Sequence, residues 1–169
     1  MGTYKGSAGI DRLMRDLRSR SEMLVTNTSI GIMQSLISHS PISLEDGIYG
    51  GYYYDNDRGS FINNWEATVG VDIPPIIDRG GDPEANDALS SVQFMGFSYE
   101  LGDNVVIANT SPYMLQVELE GWTQGNTEDR PFTTDALPYQ PVRLTKESIT
   151  TIGQKALKAT IAGAGEVPF

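Results

Sequence analysis

The sequence contains no cysteine and a single histidine, His39. Without cysteine the chain forms no disulfide and offers no thiolate to a metal ion, which suits folding in a reducing cytoplasm. A histidine between Ser38 and Ser40 has no nucleophile or metal ligand beside it in the sequence. We therefore interpret it as a partly exposed residue at the end of a helix, not as a catalytic group.

Long apolar runs are also absent. No run approaches the roughly 18 residues that a transmembrane helix needs, and residues 1–10 lack the apolar centre of a secretory signal. We expect no membrane partner and no secretion by that route. Hydrophobic residues make up 39 % and charged residues 20 % of the chain, which is ordinary for a globular protein. The length predicts a single domain over 1–169.

Basic residues are few. The chain has 12 lysines and arginines against 22 aspartates and glutamates, and its formal net charge is −10. Nucleic-acid binding through phosphate contacts needs clustered basic residues, so we do not expect specific DNA binding. An acidic wall would repel DNA and so permit its passage through a channel, although most acidic proteins are simply soluble.

Apolar residues at helical spacing predict a long N-terminal helix over 8–38. They are Ile10, Leu13, Met14, Leu17, Leu24, Ile32, Met33 and Leu36, with arginines and aspartates between the first of them. At about 30 residues, this helix is longer than most helices of globular proteins. Two interpretations remain open: the helix packs on the core of its own subunit, or it also packs on a neighbouring subunit.

The segment 41–64 is rich in glycine, tyrosine and aspartate, a composition typical of turns and loops. Tyr52, Tyr53 and Tyr54 predict an edge strand or a contact loop. Tyrosine joins an apolar ring to a polar tip and is enriched at protein interfaces. Burial of these tyrosines within the same subunit is the alternative.

Alternation of apolar and polar residues predicts a strand over 65–73, and a short apolar run predicts a second strand over 105–108. Between them we predict a helix over 83–97. Asp82 would cap this helix and Pro83 would occupy its first position, where proline is favoured.

The last third of the chain begins with a short helix or irregular turn at 113–119. A polar loop follows at 121–141, and loops of that length are usually functional or mobile. A C-terminal helix is predicted over 143–161, and residues 162–169 are expected to fray. The fold class that follows is α+β, with a long N-terminal helix, a small mostly antiparallel sheet, a C-terminal helix and long loops.

No catalytic or cofactor-binding motif is present in the sequence. Nucleophile elbows and phosphate-binding loops are absent. Residues 55–59 resemble the start of a calcium loop, but Arg58 and Trp65 stand where that loop carries a ligand and a glutamate. Glu118 and Glu120 are two residues apart and would lie on different faces of a helix. We therefore expect no enzymatic activity, no cofactor and no metal ion.

Several motifs occur in a specific order. The first pair is Ser40–Ile42 followed by Arg58–Trp65, which ends in Asn63-Asn64-Trp65 before the predicted strand. The others are Asn109–Tyr113 (N-T-S-P-Y), Leu115–Trp122 (L-Q-V-E-L-E-G-W) and Ala136–Thr145 (A-L-P-Y-Q-P-V-R-L-T). In order and spacing they resemble the neck or tail-completion (minor tail) family of long-tailed bacteriophages. The resemblance covers residues 8–160.

The sequence departs from the family pattern at several points. The family shows N-N-x-P-Y-A, and here Thr110 replaces the second asparagine and Met114 the alanine. Gln140-Pro141 replaces the G-M pair that precedes the V-R of the last helix, and residues 43–57 form an apparent insertion.

The resemblance implies a structural virion protein at the head–tail joint, assembled in the host cytoplasm. Such a protein would form a homo-oligomeric ring of six copies, with twelve as the alternative, around the DNA channel. Its partners would be head-closure and tail-terminator or tail-tube proteins, and DNA would pass through it without specific binding. A tail terminator or a head-closure protein is an alternative. A small cytoplasmic enzyme or binding module is a third, which a pocket with convergent polar groups would favour.

The positions that match the motifs are the candidate structural or interface residues. We expect Trp65 to lie in the core, Asn109 to cap a turn and Pro112 to fix the next turn. Tyr113 would be a large apolar anchor, and Gly121 would end a short helix with positive φ. Each of these residues either maintains the fold or contacts a neighbouring subunit.

Two further candidates are charged. Glu118 lies in the segment Leu115–Trp122, which stands where the family shows an L-E-x-G step, and Arg143 lies at the entry to the last helix. Arg143 is the stronger candidate for a contact between subunits, because an arginine can pair with one of the many acidic side chains. We predict contact surfaces at residues 49–54 and 121–141.

Overall fold

The computed structural model describes most of the chain. The described residues are 6–40, 47–49, 52–54, 60–70, 74–77, 79–112, 114–120, 123–124 and 140–163. The predicted fraying tail lies outside them, apart from residues 162 and 163.

Helices and short strands alternate along the chain, so the α+β prediction is confirmed. The helices are α1 (Gly6–His39), α2 (Ser60–Asn63), α3 (Asn86–Ser98), a π-helical segment (Gln116–Glu120) and α4 (Pro141–Ala162). The strands are β1 (Gly47–Tyr49), β2 (Tyr52–Tyr54), β3 (Trp65–Val69), β4 (Val105–Asn109) and β5 (Thr123–Gln124).

The strands form two small antiparallel sheets where the sequence predicted one. β3 pairs with β4, in a register that places Trp65 opposite Asn109 and Val69 opposite Val105. The other sheet has the order β2-β1-β5. The loop predicted over 121–141 is therefore wrong at two places: residues 123–124 form β5, and Pro141 is the first residue of α4.

The apolar core lies between the second half of α1, α3 and the β3–β4 sheet. Its side chains come from these elements, from α2 and from the π-helical segment, and they include Met33, Leu36, Phe61, Ile62, Trp65, Val92, Met95 and Val117. The rings of Phe61 and Trp65 meet edge to face with centroids 6.3 Å apart, a favoured aromatic geometry.

α4 packs antiparallel against the second half of α1 through small and polar side chains. Asn27 Nδ2 donates a hydrogen bond to Thr160 Oγ1 (3.2 Å), and Thr145 Oγ1 donates one to Ser35 Oγ (3.0 Å). Because the end of α4 lies opposite Asn27, this packing leaves the first part of α1 beyond the reach of α4.

The predicted boundaries of two elements change. The strand predicted over 65–73 is described only as far as Val69, and Gly70 then turns the backbone with a φ of 125°. The helix predicted from Pro83 begins at Asn86, because Asp82 closes a turn first. The Asp82 carboxylate accepts hydrogen bonds from the amides of Glu84 and Asn86, both at 2.9 Å.

Candidate functional site

The two asparagine motifs of the sequence meet in the fold. The Asn64 carbonyl accepts a hydrogen bond from the Thr110 amide at 2.8 Å, and Asn109 Nδ2 donates to the Phe61 carbonyl at 2.9 Å. Asn109 Oδ1 also accepts from the Ser111 amide at 2.9 Å, which makes the capped turn that the sequence predicted. The departure at Thr110 is accommodated, since its hydroxyl lies within 3.1–3.3 Å of oxygens of Asn64 and Ile77.

Trp65 and Asn63 attach this junction to the helices around it. Trp65 is 1 % exposed, in the core as predicted, and its Nε1 donates to Ser40 Oγ at the end of α1 (2.9 Å). Asn63 Nδ2 donates to the Asp87 carboxylate, and Asn63 Oδ1 accepts from the Asp87 amide, both at 3.1 Å. These side chains are occupied in holding the fold together.

Glu118 and Arg143 also come together, but through the backbone. The two carboxylate oxygens of Glu118 accept hydrogen bonds from the amides of Val142 (3.0 Å) and Arg143 (3.2 Å). Glu118 therefore caps the start of α4, where Gln140 provides no side-chain cap. The Arg143 guanidinium pairs at 3.4 Å with Glu147, one turn further along the exposed surface.

The remaining predicted residues are less informative. Pro112 is exposed in the turn after β4. Tyr113 and Gly121 lie outside the described residues, as does the segment 55–59. Tyr52, Tyr53 and Tyr54 form β2, with no description of their side chains. His39 is half-buried at the end of α1, with Nδ1 2.9 Å from the Ser35 carbonyl oxygen.

A groove of about 610 Å³ lies between β3 and α3. It contains the Glu66–Arg79 ion pair, with 3.0 Å between the charged atoms, and the Asp87 carboxylate that Asn63 contacts. The described residues hold no cluster of three side chains able to bind a metal ion. Their helices include none long and apolar enough to cross a membrane. The charged groups of the groove are paired, Glu66 with Arg79 and Asp87 with Asn63, whereas the buried hydroxyl of Thr68 has no hydrogen-bond partner among the described residues.

The most unusual surface is the first part of α1. Residues 8–20, which we call the arm, are all exposed. The arm carries apolar side chains on one side, and more than half of the surface of each is exposed: Ile10, Leu13, Met14 and Leu17. At 1.5 Å per residue, the arm is about 20 Å long. Packing of the helix on the core of its own subunit is therefore found for its second half, with Met33 and Leu36, and not for these four residues.

A second apolar surface lies on α3, on the side away from the core. Phe94 and Phe97 are 70 % and 88 % exposed, and Leu101 is exposed in the turn that follows. The exposed fraction of both rings depends on which face of α3 meets β3, which periodicity alone does not determine.

α4 carries a third exposed apolar row next to the row that packs on α1. Its members are Val142, Ile149, Leu157 and Ile161. The buried row (Pro141, Thr145, Ile152, Ala156 and Thr160) lies one residue earlier at most positions. α4 is basic: over 141–163 it has four lysines and arginines and one glutamate.

Electrostatics distinguishes these surfaces. Hydrogen bonding to Glu22 raises the pKa of Arg18 at the end of the arm, and Arg18 also pairs with Glu100 at 3.1 Å. Hydrogen bonds from the amides of Glu84 and Asn86 lower the pKa of Asp82, which keeps its carboxylate charged beside α3. Arg18 therefore carries a positive charge at the end of the arm, and Asp82 carries a negative charge before the start of α3.

Comparison of the chain with protein families, with curated protein sequences and with solved structures finds no match. The resemblance to phage neck proteins therefore stays a prediction.

Proposed function

We propose that this protein is a structural subunit of the head–tail joint of a long-tailed bacteriophage, and that it assembles into a ring through its N-terminal helix. The observation that carries the proposal is the arm, in which Ile10, Leu13, Met14 and Leu17 are exposed together. A row of large apolar side chains in water favours association, because burial of each contributes about 1.5–3 kcal/mol.

The scarcity of contacts along the arm points the same way. The arm continues a helix that the core anchors, so it needs no helix nucleus of its own, but the described residues give its apolar side few contacts beyond Arg18 and Leu101. A partner that covers the apolar side of the arm would supply the missing stabilisation. This supports an assembly role over a catalytic one.

The assignment to a phage neck rests on the sequence motifs and on their place in the fold. Asn63–Trp65 and Asn109–Ser111 are 44 residues or more apart in the sequence and form one hydrogen-bonded junction. Glu118 and Arg143, from the two later motifs, meet at the start of α4. Motifs that join in this way are expected of a shared fold, and the net charge of −10 is compatible with a channel for DNA.

Electron microscopy of a phage lysate tests the proposal. The phage would carry an early stop codon in the gene for this protein. We expect DNA-filled heads beside unattached tails of normal length. Tails of abnormal length would indicate a tail terminator instead, and heads that lose their DNA would indicate a head-closure protein. Intact infectious particles would contradict all three roles.

A further inference from the structure

We infer that the arm of one copy docks on the outer face of α3 of a second copy, in a head-to-tail contact. The inference rests on the proposed assembly role and names the surfaces that perform it. The outer face of α3 is defined here by Asp87, Ser90, Phe94 and Phe97, with Leu101 beyond the end of the helix.

The arm offers one apolar side framed by positive charge. Ile10, Leu13, Met14 and Leu17 follow the spacing i, i+3, i+4, i+7, which places them on one side of a helix. Over residues 8–20 there are four arginines and two aspartates, a net charge of +2. Such a segment fits an apolar groove with an acidic border, as amphipathic helices do in other helix–groove contacts.

The outer face of α3 has the matching chemistry. Asp87, Ser90, Phe94 and Phe97 follow helical spacing along the side opposite to the buried Ala88, Val92 and Met95. Residues 80–104 contain five acidic residues and no lysine or arginine. Arg79, which lines the same groove as Asp87, Ser90 and Phe94, is paired with Glu66. Large exposed aromatic rings are the side chains most enriched at the centre of protein interfaces.

Charge decides between three helical surfaces that the arm could cover: a second arm, the row on α4 and the outer face of α3. Leu115 and Leu119 are two further exposed apolar side chains. The row on α4 lies in a helix of net charge +3, and a second arm carries +2, so both repel the arm. The α3 region, at −5, attracts it. Since like charges at a contact are costly and opposite charges speed and orient docking, α3 is the favoured partner.

The same chemistry already occurs on a small scale within one chain. Arg18 at the end of the arm pairs with Glu100, and Met14 and Leu17 line an apolar groove of about 450 Å³ together with Leu101. Arginine therefore meets glutamate at this junction, beside exposed leucine and methionine side chains. Docking on a second copy would use the same chemistry along the rest of the arm.

The contact joins two different surfaces of the protein, so it determines how successive copies assemble. Each copy presents one arm and one α3 face, so the contact can repeat from copy to copy. Head-to-tail contacts of this kind close into rings when the rotation between neighbours allows it.

Cysteine cross-linking of the full-length protein tests the inference, and the chain has no native cysteine to interfere. Met14→Cys would be mixed with Ser90→Cys, each in otherwise unchanged protein. We expect a disulfide-linked dimer of the two variants under mild oxidation. The matched control mixes Met14→Cys with Lys146→Cys, which lies beside the apolar row of α4, and Met14→Cys alone reports contacts between arms.

The relative yields of the three cross-linked products distinguish the possible docking surfaces. A Met14–Ser90 product several-fold more abundant than either control, and reduced by added salt, supports the inference, because salt screens the charges. A dominant Met14–Lys146 or Met14–Met14 product overturns it. So does the absence of all three products at concentrations up to about 1 mM, where even weak complexes form.

The protein with both Met14→Cys and Ser90→Cys tests the head-to-tail geometry. We expect a ladder of cross-linked products that stops at the size of the ring. A ladder that stops at the dimer would mean a two-fold contact and would overturn the head-to-tail arrangement. The stop-codon phage separates the two proposals: if heads and tails fail to join but the cross-link forms elsewhere, the assembly role remains and the docking surface is wrong.

Discussion

Residues 8–20 and residues 27–39 belong to one continuous helix, α1, and have opposite surroundings. The second segment is covered on one side by α4 and on another by α3 and the β3–β4 sheet, so that Met33 and Leu36 are buried. The first has a comparable content of apolar side chains, and all of its residues are exposed. Within a single helix, the same kind of amphipathic pattern packs on the core in one half and remains exposed in the other.

The difference shows that an amphipathic pattern predicts that a helix packs on something. It does not predict whether the packing partner is a segment of the same chain or another molecule. The second half finds its partners in the same chain because α4 runs alongside it and ends opposite Asn27. The first half extends past that end. The predictions below test this contrast.

The largest expected difference in unfolding free energy is between variants of two methionines in α1. Met33 is 0 % and Met14 is 62 % exposed, and both lie in α1. Met33→Ala removes buried atoms and leaves a cavity, and we expect a loss of about 2–5 kcal/mol in the free energy of unfolding. Met14→Ala should change it by less than about 0.5 kcal/mol, as exposed substitutions do. Urea unfolding measures both. Equal losses would contradict the description of the arm as uncovered.

A smaller effect is expected where the covered part of α1 meets α3. A Cβ on Gly96 would lie 2.6 Å from Thr26 Cγ2. Although alanine favours a helix by about 1 kcal/mol relative to glycine, overpacking costs about 1–3 kcal/mol. Gly96→Ala should therefore destabilise the protein by about 1 kcal/mol in urea unfolding.

Thr26→Ser gives the matched background, because it removes the Cγ2 methyl and keeps the hydroxyl, which bonds to the Glu22 carbonyl. In that background Gly96→Ala should stabilise the protein, by up to about 1 kcal/mol. The same sign in both backgrounds would show that the contact with Thr26 is not what requires glycine.

The Glu118 cap stabilises the start of α4, the helix that packs on the second half of α1. Substitution of Glu118 tests how much this cap contributes to stability. Glu118→Gln keeps the shape of the side chain and removes the charge from the start of α4. A loss of about 0.3–1 kcal/mol is expected, the usual range for an anion at a helix N-terminus. Glu147→Gln, at an exposed position of the same helix, is the control. In thermal unfolding, Glu118→Gln should lower the Tm more than Glu147→Gln does. The reverse order would argue against the cap.

The smallest effect is expected at the end of the arm. Arg18→Met keeps an apolar stem and removes the pairs with Glu22 and Glu100, which lie at the exposed surface. Exposed ion pairs contribute little, so the urea midpoint of the monomer should not change measurably. A clear drop would mean that the arm is held to its own subunit more firmly than its exposure indicates.

Local patterns predicted much of the fold. Helical spacing gave α1 and α4 nearly in full, and alternation gave β3, because these signals come from neighbouring residues on one element. β5 and β1 were not predicted, since strands of two or three residues have too few positions for a pattern. The π-helical segment was predicted only as a short helix or irregular turn, because residue spacing in so short a segment does not determine which amides its carbonyls accept hydrogen bonds from.

The candidate site was predicted in part. The turn at Asn109 and the burial of Trp65 follow from local chemistry and side-chain size. The role of Glu118 did not follow, because its partners in α4 lie 24 and 25 residues further along the chain. The pairing of Asn63 with Asp87 is non-local in the same way.

The sequence by itself determined which side of each helix is apolar, where the chain turns, and how charge divides between a basic arm, a basic C-terminal helix and the acidic segments between them. These properties depend on residue type and on spacing along one element. Only the tertiary structure decided which apolar sides are covered. Coverage depends on where α4 ends and on which face of α3 meets β3, and packing between distant segments sets both. The exposure of Leu13 and Phe97 is therefore a property of the fold.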